Sequence, residues 1–166
     1  MRAPAKLNLC LFLGPAREDG LHELCSVFCP LSLADELDVT EAAEADEVIC
    51  EAVPAPDLTA RALIALREAG WRRAPLRIEV RKRIPVAAGL GGGSADAAAA
   101  LRLAAGDLEP ERLHEIAAGL GADVPSQLDP RFSLVGGAGE RVVPLPDPEP
   151  FWAVLLPDRA GLSTAD

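Results

Sequence analysis

The chain has 166 residues, 49% of them hydrophobic and 25% charged, enough for one folded domain with a buried core and too apolar for a disordered chain. Lys and Arg number 16 against 26 Asp and Glu, a net charge of −10. That excludes a general binder of nucleic acid or of an anionic membrane, since both need a basic face, and leaves open a small anionic ligand held by local geometry.

Cys10, Cys25, Cys29 and Cys50 form no Cys-x-x-Cys pair, and there are only 2 histidines. They predict reduced core thiols of a cytosolic protein, not a zinc site. The opening "MRAPAKLNLCLFLG" has a basic start, but Pro4, Lys6 and Asn8 interrupt its apolar run, so no signal peptide is expected. No apolar stretch approaches the roughly 18 residues of a membrane span. A cytoplasmic protein is the expectation.

In chain order, "AKLNLCLFL" alternates with the period of a half-buried strand: Leu7, Leu9, Leu11 and Leu13 on one face, Lys6, Asn8, Cys10 and Phe12 on the other. "PAREDG" reads as a turn. "LHELCSVFCPLSL", "DELDVTEA" and "DEVICEA" read as three further strands of an antiparallel meander, because the connections are too short for crossovers. Asp57 is placed to cap a helix over "LTARALIALREA", which Gly70 ends. "LRIEVRKRI" alternates again and delivers the chain into "PVAAGLGGGS". A second helix is expected from Ser94 as N-cap, and a third opens with Pro110 at its first position. "FSLV" and "ERVVPL" are short strands around the glycine turn "GGAG"; "PLPDPEP" is a surface loop. Strands and helices mix without regular alternation, which predicts an α+β domain with a two-layer mixed sheet and packed helices.

The glycine loop supports two readings, a flexible turn or a phosphate cradle. No lysine follows the glycines, which excludes a Walker-A loop, and Ser94 stands where a dinucleotide fingerprint needs its last glycine. What remains is general: glycines let backbone approach a ligand, and a helix N-terminus favours an anion. The alanine run behind the loop favours a slim helix packed close to the sheet, which would hold the loop still. Asp123, two residues before Pro125, fits an N-cap. Lys6 and Asn8 fit a solvated strand face, and His22 a turn-adjacent surface position.

Taken together, "PAKLNLCLFLGPAREDGLHEL", "RKRIPVAAGLGGGSADAA" and "LGADVP" resemble the GHMP kinase superfamily, and within it the branch that phosphorylates the 2-hydroxyl of a cytidine diphosphate-linked methylerythritol in isoprenoid precursor synthesis. The resemblance runs to the "LPDRAGLSTAD" terminus. It implies a ribosomal protein S5 domain 2-like fold, with ATP and Mg2+ as cofactors and no assigned metal ligands. It implies that Pro85, Val86, Ala87, Ala88, Gly89, Leu90, Gly91, Gly92, Gly93, Ser94 and Ala95 wrap the triphosphate. Asp123 would be the general base, Lys6 its neighbour, and Asn8 and His22 substrate contacts, His22 toward the cytosine edge. The chain departs from this pattern at Leu21, where a tyrosine normally stacks on cytosine for about 1–3 kcal/mol. It also carries Asp57-Leu58 for Asn-Leu, Ala95 for a second serine, and Gln127 for an apolar residue.

Members of the superfamily continue into a C-terminal half with a third glycine-rich motif. Residues 1–166 are therefore expected to be the N-terminal ATP-binding domain, with the C-terminal domain absent from this chain and one side open unless a homodimer closes it. Two other functions suit the same residues: a truncated, non-catalytic nucleotide-binding module, and a superfamily kinase for another small alcohol.

Overall fold

The structure is a computed structural model that describes residues 1–17 and 20–157. One six-stranded mixed sheet is built from β1 (Arg2–Ala16), β2 (His22–Glu41), β3 (Glu47–Ile49), β4 (Leu76–Arg81), β5 (Ser133–Gly137) and β6 (Arg141–Pro144). Among the described residues four α-helices accompany it: α1 (Leu58–Glu68), α2 (Gly92–Leu101), α3 (Pro110–Leu120) and the single-turn α4 (Val124–Gln127). The α+β class expected from the sequence is found.

β2 is the spine. It is one strand of 20 residues, where the sequence suggested two separated by a break near Ala34. Glu36 pairs with both Arg2 and Arg81, and Leu24 with both Leu13 and Gly137. So β1 runs along one edge of β2, while β4 and β5 share the other. The meander holds only for β1 and β2. β3 pairs parallel with β4, Val48 opposite Ile78, because α1 supplies the crossover that a parallel pair requires.

The helices pack on one face of this sheet. Leu37, Ile78 and Val80 of the sheet meet Ala62, Leu63 and Leu66 of α1, Leu113 and Ala117 of α3, and the whole alanine run of α2. Ala95, Ala97, Ala98, Ala99 and Ala100 are fully buried, so α2 touches β1, β2 and the other three helices at once. Only a helix without bulky side chains can sit that close to all of them. Asp57 caps α1 as expected, accepting the Ala60 amide at 2.8 Å.

β1 differs from its reading. Leu9, Leu11, Phe12 and Leu13 are exposed, and the buried clusters take only Ala3 and Ala5 from this strand. Register shifts after Pro4 and Asn8 break the strict alternation, and the helix layer does not extend over the outer half of the strand. The cysteines are all free, but only Cys29 is buried; Cys10 and Cys50 are half-buried and Cys25 is exposed. Among the described residues, no helix is long and apolar enough to cross a membrane.

Candidate active site

β4 ends at Arg81, earlier than its alternation suggested, because the Asp35 carboxylate captures the amides of Arg83 and Ile84. The chain then enters the glycine loop with Ala87 at φ +58, Gly89 at φ +72 and Gly91 at φ +69. Left-handed residues at every second position are the backbone pattern from which anion-binding concavities are built. α2 starts directly from this loop. Its N-cap is Gly91 and no side chain caps the first turn, which leaves the first amides for a ligand. Ser94 is therefore the third helical residue and not the expected N-cap: glycine can take the left-handed angle that closes this loop. The cleft at the loop has a volume of about 320 Å³ and is lined by Pro85 through Ser94, with Asp57, Leu58, Thr59, Lys82 and Asp96 across from it. Ala95 lies behind the loop, fully buried in the core.

Lys6 and Asp123 meet beside the same loop. Lys6 is buried to 7% exposure, against the expectation of a solvated strand face. Its ammonium lies 3.2 Å from Asp123 Oδ2, donates to Asn8 Oδ1 at 2.8 Å and sits 4.9 Å from the centre of the Phe28 ring. The Lys6 backbone N–H donates to Leu90 O at 3.0 Å, so the free edge of β1 is fastened to the loop. Asp123 does precede α4, but its side chain makes no capping bond; it points to lysine instead. Ser126 Oγ donates to the Asp123 carbonyl at 2.9 Å. Gly139 lies so close to the Ala122 backbone that any side chain would overlap it, which fixes this segment against the β5–β6 turn.

The structure thus brings Lys6, Asn8, Asp123 and Gly91 together, but not His22. His22 opens β2, is exposed, and donates from Nδ1 to the Gly14 carbonyl at 3.2 Å. Lys6 pairs with Pro30 and Ala16 with His22, so eight residues of strand separate the two, on the order of 26 Å along an extended strand. Leu21 beside it is exposed. Asp19 of the "DGLHEL" stretch and residues 158–166 of the terminus lie outside the described residues. Gln127 is buried with its amide oxygen unpartnered.

Three residues at the base of the loop were not singled out by the sequence reading. Lys82 donates to Asp96 Oδ2 at 2.6 Å and to Asp35 Oδ2, and both aspartates are buried. Burial alone draws the ammonium pKa down, but its bonds to Asp35 and Asp96 leave it above the ordinary lysine value. Burial pushes Asp96 up to about 7 against the opposing pull of Lys82. The available signal was a charge inside an alanine helix, which has no reason to be there for packing.

The chain is similar to known proteins over nearly its whole length. The family model for the GHMP kinases N terminal domain matches residues 57–137. The chain is 41% identical to the 4-diphosphocytidyl-2-C-methyl-D-erythritol kinase of Anaeromyxobacter sp. over 170 residues, covering 97% of this chain and 56% of that protein. It is 44% identical to the kinase of the same name from Streptomyces coelicolor over 183 residues, covering 99% and 58%. The chain therefore spans somewhat more than half the length of these curated relatives. A crystal structure of 4-(cytidine 5'-diphospho)-2C-methyl-D-erythritol kinase superposes with a TM-score of 0.72 at 42% identity, covering 87% of this chain and 55% of that one. Homoserine kinase from Cytophaga hutchinsonii, at 18% identity and a TM-score of 0.60, shares the fold. On these grounds the chain belongs to the GHMP kinase family, with its matched segment in the family's N-terminal domain.

Proposed function

We propose that this chain is the N-terminal, ATP-binding domain, residues 1–166, of a kinase that transfers the γ-phosphoryl group of ATP to the 2-hydroxyl of 4-diphosphocytidyl-2-C-methyl-D-erythritol. The observation that carries the proposal is the Lys6–Asp123 pair at 3.2 Å, lying directly against Gly91 where the glycine loop becomes a helix. The loop residues Pro85 to Ala95 bind the triphosphate through backbone N–H groups, and the α2 N-terminus faces its charge. Asp123 accepts the proton of the attacking hydroxyl. Lys6 orients Asp123 and steadies the negative charge that develops between donor and acceptor. Phosphoryl transfer asks for little more than such positioning and charge stabilisation. Asn8 holds the Lys6 ammonium in place and faces the acceptor; His22 takes the distal, cytosine-bearing end. Among the described residues, no cluster of three or more His, Cys, Asp or Glu stands ready for a metal. Mg2+ would come with the nucleotide and neutralise phosphate charge, and Ser94 at the loop would present its hydroxyl to it. The substrate and product are water-soluble, and the protein works in the cytoplasm.

The test is ADP release with Mg-ATP, with and without the methylerythritol substrate, for the wild-type chain and for Asp123→Asn. ADP that appears only with substrate, and falls by two or more orders of magnitude in a folded Asp123→Asn protein that still binds ATP, supports the assignment. An Asp123→Asn protein with full activity and a small loss of stability overturns the base assignment.

A further inference from the structure

The cluster of Asp35, Lys82 and Asp96 has no part in the transfer step described above, yet it is too costly an arrangement for packing alone. Two carboxylates at 0% and 3% exposure flank one ammonium, where apolar side chains of similar volume would serve the core as well or better. What the three groups share is the glycine loop. Asp35 Oδ1 accepts the amide of Ile84 at 2.8 Å and that of Arg83, the residues that lead into the loop. Its other oxygen holds Lys82. Lys82 reaches across to Asp96 in α2, just past the loop's exit, and its ammonium lies 3.1 Å from where a side chain on Gly92 would begin. Entry and exit of the loop are thus fastened to one buried carboxylate through one lysine. The remaining oxygen, Asp96 Oδ1, is buried and has no partner, and both Lys82 and Asp96 line the cleft.

We propose that Lys82 is a positioning residue for the phosphate loop, and that the net charge of the Asp35–Lys82–Asp96 cluster sets how tightly the loop holds an anion. This rests on the nucleotide-binding reading of Pro85 to Ala95. With Asp96 protonated the cluster is neutral; with all three groups ionised it carries one negative charge under the α2 N-terminus, where it opposes the helix dipole. Lys82 and Asp35 are the charged groups in contact with Asp96. Asp57 and the Cys50 thiol lie across the cleft, and Lys6 with Asp123 forms a neutral pair on the Gly91 flank. Burial holds the Asp96 pKa at about 7, so a bound polyanion favours the protonated form and affinity declines as pH rises through neutrality.

The experiment is isothermal titration of the full chain with Mg-ATP at pH 6, 7 and 8, for wild type, Asp96→Asn and Lys82→Met. The titration of ATP itself is common to all three. The affinity of Asp96→Asn relative to wild type rises about fivefold from pH 6 to pH 8, because the variant cannot acquire the charge. Lys82→Met, with the loop's two ends uncoupled, binds about tenfold more weakly at every pH. Should Lys82→Met not fold, the Asp96→Asn comparison decides alone. A wild type that binds Mg-ATP, with a ratio to Asp96→Asn independent of pH, overturns this proposal and leaves the nucleotide reading intact. A wild type that binds no Mg-ATP across the range overturns that reading, and this inference falls with it.

Discussion

Three glycine-to-alanine substitutions in one loop separate backbone strain from side-chain crowding at the Lys6–Asp123 pair. Gly91 has φ +69, and an alanine Cβ there begins 2.9 Å from Lys6 Cγ, 3.1 Å from Lys6 Cε and 3.6 Å from Asp123 Oδ2. Gly89 has nearly the same backbone, φ +72, with nothing within 4 Å. Gly93 has neither a left-handed angle nor a close neighbour. An L-residue in the left-handed region costs about 1–2 kcal/mol, and forcing a methyl into packed space costs about 1–3 kcal/mol more. Gly93→Ala, at the second position of a helix, removes backbone entropy from the unfolded chain and stabilises by about 0.5 kcal/mol. Gly89→Ala therefore loses about 1–2 kcal/mol, and Gly91→Ala roughly 2–5 kcal/mol as the two costs add. Urea denaturation of the three variants reads this order directly. If Gly91→Ala is no less stable than Gly89→Ala, the lysine yields without cost and the crowding argument is wrong.

Other consequences are as direct. Ala98→Leu inserts three carbons where α2 is fully buried and destabilises by about 1–3 kcal/mol in thermal unfolding, with repacking of α1 as the physical cause; an unchanged midpoint would mean that the helix is not as closely held as its burial implies. Asp57→Ala removes the carboxylate that accepts the Ala60 amide at 2.8 Å and costs about 1 kcal/mol, whereas Asp57→Ser recovers most of it. Arg67 holds the Asp46 carboxyl below its usual range, helped by the Leu76 amide and opposed by burial. The folded pKa is thus the lower one, so the stability contributed by Asp46 is complete above the unfolded value of about 3.9 and is lost as pH falls through the folded value. Asp46→Asn accordingly costs about 1–3 kcal/mol at pH 7 and progressively less toward pH 3, a trend that parallel denaturation curves would expose.

What the sequence disclosed follows from where local pattern decides structure. α1, α3 and the β5–β6 hairpin carry their own caps, proline and glycines, and they stand where expected. The glycine loop and its alanine helix were legible because a slim helix beside a flexible loop has few other uses. β2 was read as two strands on either side of Ala34, but the strand runs on through Ala34 and Asp35, which are adjacent and both buried, and Asp35 serves the loop and not a turn. The alternation of β1 revealed two faces without saying which the helices cover. The parallel pairing of β3 with β4 is set by a crossover that no short window contains. Lys6, Asn8 and Asp123 were each ambiguous alone. An ion pair between residues 6 and 123 depends on the loop that fastens to β1 at Leu90, a relation of the folded chain only.

The unbroken length of β2 turns distance into a matter of counting. His22 at one end and Asp35 beneath the phosphate loop lie on the same strand, thirteen residues apart, so the interval between them is fixed by peptide geometry rather than by any side chain. A single residue removed between them would shorten that interval by about 3.3 Å and turn every later side chain to the opposite face of the sheet. Asp35 would then point away from Lys82, and the loop would lose its anchor without any change in its own sequence. The residues between thus act as a ruler, and their number matters more than their identity.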